Sequence, residues 1–487
     1  MSDHPRYLLA TGLMLAGLAL ALYAITGFHV LTGIAWLASI LLISFGLKRK
    51  GKNHVGGGTR YGKRDVLVVT VLAAVFSPIY LFASYEIPFQ VNSDELVHIG
   101  VERNLTGNPR ADVFGLASNY FYLPAGSFVV HGYLAERLGA ITLENVRRVN
   151  GFFGVCIVFT GYLFFRLFSP LKFAVLATLV FASSHVLIAI SRMAMRENTC
   201  LILELTALTL SIYGARTSDP GKLFAGGAIM GLAVYTYFPA RIIAVIWLCY
   251  LILSSWPYRD DSIRRLRKLS GWAMIGFVIS AGPMAIAAGQ GPQAQYEYPK
   301  QVTILTAQGR DLVRAWEGTL DTNTALLKNL MNGLGTFNNN MTDRAMIYVN
   351  SGYGFVDPLT GVLLWAGIIS MWARHRSREL HLLAITGFLV IWLSLSFFTT
   401  KNPSYSRLLV ILPFVVLLAM EGSKWLAAVA TKYLAGMLGM PKRNTVCVVV
   451  TVLVAVIVGW NLKIYGKYVA EGFYQREVVG TRGTVYQ

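Results

Sequence analysis

Long apolar runs recur along the whole chain and are separated by short polar segments. Each run is about 17 to 22 residues long, the length that an α-helix needs to cross the hydrocarbon core of a bilayer. Hydropathy and length together predict about 13 membrane-spanning helices in an all-α polytopic membrane protein. The predicted spans are residues 7–26, 29–47, 66–86, 148–168, 171–190, 198–214, 222–238, 240–256, 270–289, 358–373, 380–398, 407–421 and 445–461.

One further stretch, residues 120–139, is apolar but carries His131, Glu136 and Arg137. Such a segment either crosses the membrane or lies in the interface as an amphipathic helix. If it does not cross, four basic loops all fall on one side of the membrane, and the positive-inside rule favours that arrangement. These loops are residues 48–65, 259–268, 373–381 and 441–444. The expected topology has the N-terminus inside and the C-terminus outside, with 120–139 at the outer surface.

Composition supports a membrane protein, with 55% hydrophobic residues, 14% charged residues and a mean hydropathy of +0.54. The net charge of +19 does not indicate a nucleic-acid partner, because the basic residues cluster in short loops between predicted spans. The four cysteines mostly lie inside apolar runs and show no CxxC spacing, so they predict neither a disulfide framework nor a metal site.

The predicted organisation has three parts. Residues 1–65 are two extra N-terminal spans followed by a basic cytoplasmic loop, and they look like an addition to the rest. Residues 66–465 form the transmembrane core, whose outer loops are 87–147 and 290–357. Residues 466–487 form a short outer tail.

A set of charged residues falls at the outer ends of the predicted spans, where holding a charge near hydrocarbon is costly. Most charged residues at such positions are interfacial anchors or snorkelling side chains, and aromatic residues there are often part of an interfacial belt. Adjacent acids anchor poorly and repel each other unless a cation is near. The charged residues in question are Asp94, Glu95, Arg192, Arg196, Glu197, Arg241 and Arg407.

Acidic and basic groups at one depth, covered by a long outer loop, suit one kind of chemistry in particular. A carboxylate can take the proton from an attacking hydroxyl or amine. Arginine or lysine can hold a phosphate leaving group. If the chamber opens to lipid, it could admit an isoprenoid chain. This combination predicts glycosyl transfer from a polyprenyl-phosphate sugar.

The core resembles the C-type (GT-C) membrane glycosyltransferases, in particular the group of protein O-mannosyltransferases and aminoarabinose transferases, which is glycosyltransferase family 39-like. Five segments match that group in order and spacing. They are "NSDELVHI" (92–99), "YFYLPAGSFVVHGYLAERLG" (120–139), "SRMAMREN" (191–198), "GLAVYTY" (231–237) and "PSYSRLLVILP" (403–413). The resemblance implies a GT-C-like fold with outer juxtamembrane helices, of which 120–139 is one.

The resemblance also implies residue roles. Asp94 matches the catalytic base, Glu95 its neighbouring acid and Arg192 an arginine of the second motif, while Glu197 stands where aspartate is usual. Candidate residues for the donor phosphate or substrate are His98, Tyr122, Arg192, Glu197, Tyr237, Arg241, Lys300 and Arg407. The chain departs from the group at 121–124, where no Lys or His precedes the proline, so Arg192 and Lys300 are expected to neutralise the phosphate. Asp94 and Glu197 could share a divalent metal ion, since members of the group differ in metal use.

The expected function is an inverting glycosyltransferase of the plasma membrane with its site on the extracytoplasmic face. The resemblance implies a dolichyl- or undecaprenyl-phosphate hexose or pentose as donor, and it leaves the acceptor open among lipid, glycan and protein. The alternative is a non-enzymatic flippase or transporter of lipid-linked sugars, which would usually show inverted repeats or helices broken near the midplane. A scaffold with anchoring charges is a third reading.

Overall fold

The computed structural model describes most of the chain and is almost entirely helical. Among the described residues, one sheet pairs two short antiparallel strands, β1 (Leu116–Ala117) and β2 (Leu123–Pro124). The described residues are 4–47, 61–84, 86–88, 91–108, 111–117, 123–255, 261–338, 341, 343–344, 348, 353–373, 378–438 and 441–470. Tyr122, much of the basic loop 48–65 and the end of the tail lie outside them.

Twenty α-helices make up the described part of the chain, with short 3-10 turns at Phe238–Arg241 and Leu409–Ile411 and a π-helical turn at Trp392–Phe397. The helices are α1 His4–Thr26, α2 Val30–Gly46, α3 Lys63–Leu81, α4 Ser93–Thr106, α5 Gly126–Arg137, α6 Leu143–Phe168, α7 Leu171–Ser183, α8 His185–Ser191, α9 Glu197–Thr217, α10 Pro220–Ala233, α11 Ile242–Ser255, α12 Asp261–Gln290, α13 Pro292–Val302, α14 Ala307–Glu317, α15 Thr322–Gly335, α16 Pro358–Ala373, α17 Arg378–Ile391, α18 Tyr405–Leu408, α19 Leu412–Leu438 and α20 Lys442–Ala470.

The structure confirms the predicted fold class but not the predicted number of spans. Each predicted span overlaps a helix, yet within the described residues only eight helices are long and apolar enough to cross a membrane, or nine if the bent pair α7–α8 is one span. Three shorter apolar helices account for part of the difference: Val30–Gly46, Phe238–Leu253 and Pro358–Trp372. The count of 13 therefore stays a prediction.

The predicted spans 171–190 and 66–86 differ from the structure in shape and length. The first is bent by 57° between α7 and α8, where the His185 N–H donates to Asn461 Oδ1 at 3.1 Å instead of continuing the helix. The second ends at Leu81, because Phe82 adopts an extended backbone and Ala83 has a φ of 48°. The hydropathy of each stretch as a whole shows neither break, since both stretches are apolar on average although Ser183, Ser184 and His185 lie at the bend.

The described part of the stretch 120–139, residues 123–139, contains strand β2 and one short helix, α5. Helix α5 has 12 residues, so it is about 18 Å long and cannot cross a hydrocarbon core of about 30 Å. Its first residue, Gly126, lies against the backbone of Tyr235, and the Ser127 hydroxyl donates to the Thr236 carbonyl at 2.9 Å. The helix is thus docked on the segment after α10, as expected for a juxtamembrane helix.

The chain divides into two compact units. Unit 1 comprises residues 1–60, 96–149 and 196–300, and unit 2 comprises residues 61–95, 150–195 and 301–487. In unit 1, α1 and α2 pack against α10 and α12. An aromatic cluster joins these helices to the segment before β1, with Phe114 at its centre and the rings of Tyr23, Phe28, Trp36 and Tyr235 around it. Whether α1 and α2 are an addition to the core stays a prediction.

Close helix packing through glycine characterises unit 2. Helices α16 and α19 approach each other so closely that a Cβ on Gly367 would overlap the Leu418 carbonyl oxygen, and one on Gly422 would overlap that of Leu363. Small residues permit such backbone approach between helices in a membrane. By contrast, Gly459 in α20 has nothing within 4 Å of the position of an added Cβ.

We predict that Gly367→Ala lowers the thermal stability of the protein in detergent, while the matched control Gly459→Ala leaves it unchanged or raises it. Both changes gain up to about 1 kcal/mol of helix propensity, but only the first forces two backbones apart, at a typical cost of about 1–3 kcal/mol. The measurement is the unfolding midpoint of each purified variant. Equal shifts for the two variants would contradict the close approach of α16 and α19.

Candidate active site

The acidic pair begins helix α4, and a capping box explains part of it. Asn92 precedes the helix, and its side-chain oxygen accepts the Asp94 N–H at 2.8 Å. In return, Glu95 Oε2 accepts the Asn92 N–H at 2.9 Å. This reciprocal arrangement satisfies N–H groups that have no partner inside the helix, and the partial positive charge at a helix N-terminus favours carboxylates there.

The Glu95 carboxylate also reaches the second sequence motif. Its Oε1 accepts the Ala194 N–H at 2.6 Å. The turn that carries Ala194 is held from the other side by Asn150, whose amide donates to the carbonyls of Ile190 at 2.9 Å and Met193 at 2.6 Å. Glu95 is completely buried, and both of its oxygens accept backbone hydrogen bonds, so it fixes the geometry of the motif. Asp94 is the partly exposed member of the pair.

Arg192 is buried and donates to backbone carbonyls. Its Nη2 donates to Phe82 O at 2.5 Å and its Nε to Ile87 O at 3.2 Å, and Nη1 donates to Ile79 O. These three carbonyls belong to the end of α3 and the segment that follows it, where the helix leaves C=O groups without intrahelical partners. The contacts give Arg192 a structural role, and a role in holding a phosphate stays a prediction.

Arg196, four residues further on, lies in unit 1 in a different environment. Its guanidinium carbon is 4.7 Å from the centroid of the Phe128 ring and 4.8 Å from that of Tyr237. The residue is only 4% exposed, yet its Nε and Nη1 have no hydrogen-bond partner among the described residues. Buried polar groups are nearly always hydrogen-bonded, so these two N–H groups are suited to an anionic ligand.

A glutamate and a histidine lie near this arginine without neutralising it. His131 Nδ1 is 3.8 Å from Glu102 Oε1, and the other ring nitrogen is 2.9 Å from Thr199 Oγ1. Burial raises the pKa of Glu102 well above its usual value, against the opposing effect of Arg196. Burial, assisted by the charge of Arg196, lowers the pKa of His131 to about 3. His131 is therefore neutral at physiological pH, burial favours the neutral acid at Glu102, and Arg196 supplies the positive charge of this cluster.

Two other candidates from the sequence belong to the surroundings of Arg196. The ring of His98 meets Phe128 edge to face at 5.3 Å, in the helix α4 that continues from Asp94 as expected. Tyr237 is one of the two rings that sandwich Arg196. The structure thus brings together His98 and Tyr237 around an arginine that the sequence analysis had noted without assigning it a role.

The remaining candidates make other contacts. In unit 1, Arg241 lies over the ring of Phe238 at 4.3 Å, Lys300 pairs with Glu297 at 3.2 Å on the surface, and Glu197 is buried at the start of α9. In unit 2, Arg407 Nη1 donates to Thr399 Oγ1 at 2.8 Å. A role of these residues in substrate binding stays a prediction.

The expected divalent metal is not supported by a preformed ligand set. In the described ranges, no group of three or more His, Cys, Asp or Glu side chains is arranged to hold a metal ion. A metal shared by Asp94 and Glu197 stays a prediction from the resemblance, and no step of the chemistry below depends on it.

Membrane glycosyltransferases of known structure share the fold. A structure of ArnT from Cupriavidus metallidurans, bound to undecaprenyl phosphate, matches with a TM-score of 0.50 at 14% sequence identity, over 85% of this chain and 76% of that one. The oligosaccharyltransferase AglB from Archaeoglobus fulgidus, in complex with an inhibitory peptide and a dolichol-phosphate, matches with a TM-score of 0.51 at 13% identity, over 84% of this chain and 56% of that one. The chain therefore spans about half the length of AglB. No family model and no curated protein matches the sequence.

At such low identity these matches establish the fold. The chain is an integral, multi-pass membrane protein with a GT-C-like fold, and the resemblance inferred from its sequence motifs is confirmed at that level.

We predict that Glu95→Ala lowers the unfolding midpoint of the purified protein far more than Asp94→Ala does. Removing the Glu95 carboxylate leaves the N–H groups of Asn92 and Ala194 without these acceptors. Each buried donor left without a partner lowers the free energy of unfolding by about 1–3 kcal/mol. Asp94 is partly exposed, so water can replace its carboxylate more easily than that of the buried Glu95. A thermal scan in detergent measures both variants, and equal midpoints would show that Glu95 does not hold the motif.

Proposed function

We propose that the protein is an inverting glycosyltransferase that moves a sugar from a polyprenyl-phosphate donor to an acceptor at the extracytoplasmic face of the plasma membrane. The observation that carries the proposal is the difference between the two acids of a GT-C-like chain: Glu95 is buried and Asp94 is partly exposed. Glu95 accepts backbone hydrogen bonds that fix the start of α4, while Asp94 presents a partly exposed carboxylate at the first turn of the same helix.

In the proposed reaction an acceptor hydroxyl or amine attacks the anomeric carbon of the donor sugar. Asp94 takes the proton from the attacking group as its bond to carbon forms. The bond between the anomeric carbon and the phosphate oxygen breaks on the opposite side, and the electron pair leaves with the polyprenyl phosphate. In-line displacement inverts the configuration of the anomeric carbon. Glu95 acts by positioning Asp94.

Arg196 is the residue that we propose for contact with the donor phosphate. Arginine binds phosphate through charge-assisted hydrogen bonds with a planar fork of N–H groups. Two buried N–H groups of Arg196 have no partner in the described part of the chain, and the stacked rings of Phe128 and Tyr237 would hold the guanidinium plane in place. Arg192 and Lys300, which the sequence suggested for this role, already contact carbonyls and Glu297 respectively.

The lipid nature of the donor is supported by the related structures. ArnT binds undecaprenyl phosphate and AglB binds a dolichol-phosphate, and we extend a donor of this class to the present chain. A lipid donor has its phosphate at head-group depth, which gives a physical reason for placing two carboxylates next to a membrane-spanning helix. The sugar, hexose or pentose, and the acceptor, lipid, glycan or protein, stay open.

We predict that Asp94→Asn lowers sugar transfer by about 100- to 10,000-fold, the usual effect of losing a positioned general base. The amide keeps the shape of the side chain, so donor binding and thermal stability should be retained. The assay is transfer of labelled sugar from a polyprenyl-phosphate donor in membranes, and the matched control is Asp311→Asn, an exposed aspartate paired with Arg314. An Asp94→Asn protein as active as this control would refute the assignment of the base.

We predict that Arg196→Gln weakens donor binding by about 10- to 150-fold, which corresponds to the 1.5–3 kcal/mol of a hydrogen bond to a charged group. Arg196→Lys should recover only part of the loss, because lysine lacks the planar fork. Donor affinity is measured by titration with a polyprenyl-phosphate sugar, with Arg148→Gln, a half-exposed arginine paired with Glu144, as the control. Equal affinities for the Arg196→Gln and Arg148→Gln proteins would exclude a phosphate contact at Arg196.

A further inference from the structure

The long loop 290–357 contains helices with an unusual distribution of polar and apolar side chains. Helices α14 and α15 are joined by residues 318–321, and we refer to residues 305–335 as the α14–α15 hairpin. Within unit 2, α15 turns its small and polar residues inward: Ala325, Asn329 and Gly333 are buried. Its outward stripe is apolar, with Leu327, Met331 and Leu334 exposed by 58%, 63% and 44%. A helix in water shows the opposite pattern.

Hydrogen bonds, beside the apolar contacts of Ala325 with Ile304 and Val313, hold the inward face of α15. Asn329 Nδ2 donates to Thr399 O at 3.0 Å, and Asn402 Nδ2 donates to Asn329 O at 2.6 Å. The indole N–H of Trp392 donates to Gly333 O at 3.0 Å. These contacts position α15 firmly, so the exposure of its apolar stripe belongs to a fixed helix.

The same contacts fix the depth of α15 relative to a membrane-spanning helix. Trp392 lies in the π-helical turn Trp392–Phe397, which is the last turn of the candidate span Leu380–Phe397. Thr399 and Asn402 follow that span directly. A helix bonded along the end of a span lies at the boundary between hydrocarbon and water, where bilayer lipid is the medium that an outward apolar stripe meets.

Helix α14 adds the same signature beside it. Leu312 in the helix and Leu305 and Leu320 on either side of it are exposed, and so is Trp316, whose ring lies 5.1 Å from the Lys401 ammonium. Tryptophan and lysine are characteristic of membrane–water interfaces, because each has an apolar body and a polar end. Exposed apolar surface of this extent, on two connected helices, marks a contact site.

We propose that the α14–α15 hairpin lies in the membrane interface, with the stripe Leu327, Met331 and Leu334 inserted among lipid chains of the bilayer. The hairpin thus anchors the loop 290–357 to the lipid surface at the end of the span 380–397. The inference rests on the pattern of burial and on the contacts to that span, and it holds whatever reaction the protein performs.

Spin-label accessibility in lipid nanodiscs tests the proposal. The four native cysteines are replaced by alanine, and single cysteines are introduced by Met331→Cys on the stripe, by Ala307→Cys on the opposite side of the hairpin and by Val456→Cys on the exposed face of the span α20. Oxygen collides mainly with labels in lipid and a water-soluble nickel chelate with labels in water. We expect the label at 331 to resemble that at 456, with oxygen dominant, and the label at 307 to be dominated by nickel.

Two results would overturn the proposal. Nickel dominance at 331 would show that the stripe faces water, and protection from both reagents would show that a second copy or another protein covers it. If the labelled variants do not fold, the native chain supplies the readout, because Met331 can be oxidised by hydroxyl radicals generated in water. Its oxidation in nanodiscs should be as slow as that of Met14 and Met274, which are exposed on candidate spans, and oxidation as fast as in the denatured chain would refute the insertion.

Discussion

A carboxylate buried next to a membrane needs hydrogen-bond donors, and Glu95 finds them in the backbone. One oxygen accepts the Asn92 N–H and the other the Ala194 N–H, which joins the start of α4 to the turn after α8. Arg192, in the same turn, donates to carbonyls at the end of α3 and after it. Two buried charged side chains thus hold the turn after α8 against the segment from the end of α3 to the start of α4, which lies far earlier in the sequence. The position of Asp94 depends on this set of bonds, because Asp94 lies in the turn that Glu95 caps.

The buried charged residue Arg196 of unit 1 has different surroundings from those of Glu95 and Arg192. Arg196 lies against two aromatic rings, and its Nε and Nη1 have no hydrogen-bond partner among the described residues. The neighbouring His131 is neutral because burial lowers its pKa. A buried cation with unused N–H groups is costly in the isolated protein, and binding an anion would offset that cost. This is the physical reason for preferring Arg196 over Arg192 as the group that meets a phosphate.

The sequence predicted the fold well, because spans of about 20 apolar residues and the bias of basic loops are strong signals. It also predicted that 120–139 does not cross the membrane. It missed the bend at Ser184 and the end of α3 at Leu81, which depend on side-chain and backbone contacts within apolar stretches. It named Arg196 but gave it no role: two arginines lie four residues apart in one motif, and only the positions of Phe128, Tyr237 and the carbonyls of 79–87 distinguish their surroundings. The nearby aromatic residues in 120–139 and 231–237 were the one available signal.

A glycosyltransferase and a flippase of lipid-linked sugars both need to bind the same donor, but only the transferase breaks the bond between sugar and phosphate. The most direct test supplies the purified protein, in liposomes, with a polyprenyl-phosphate sugar labelled at the anomeric carbon, together with lipid and glycan acceptors extracted from the source cells. Our account predicts release of polyprenyl phosphate and a product of inverted anomeric configuration. Movement of the intact donor across the bilayer, without cleavage of the sugar–phosphate bond, would contradict it.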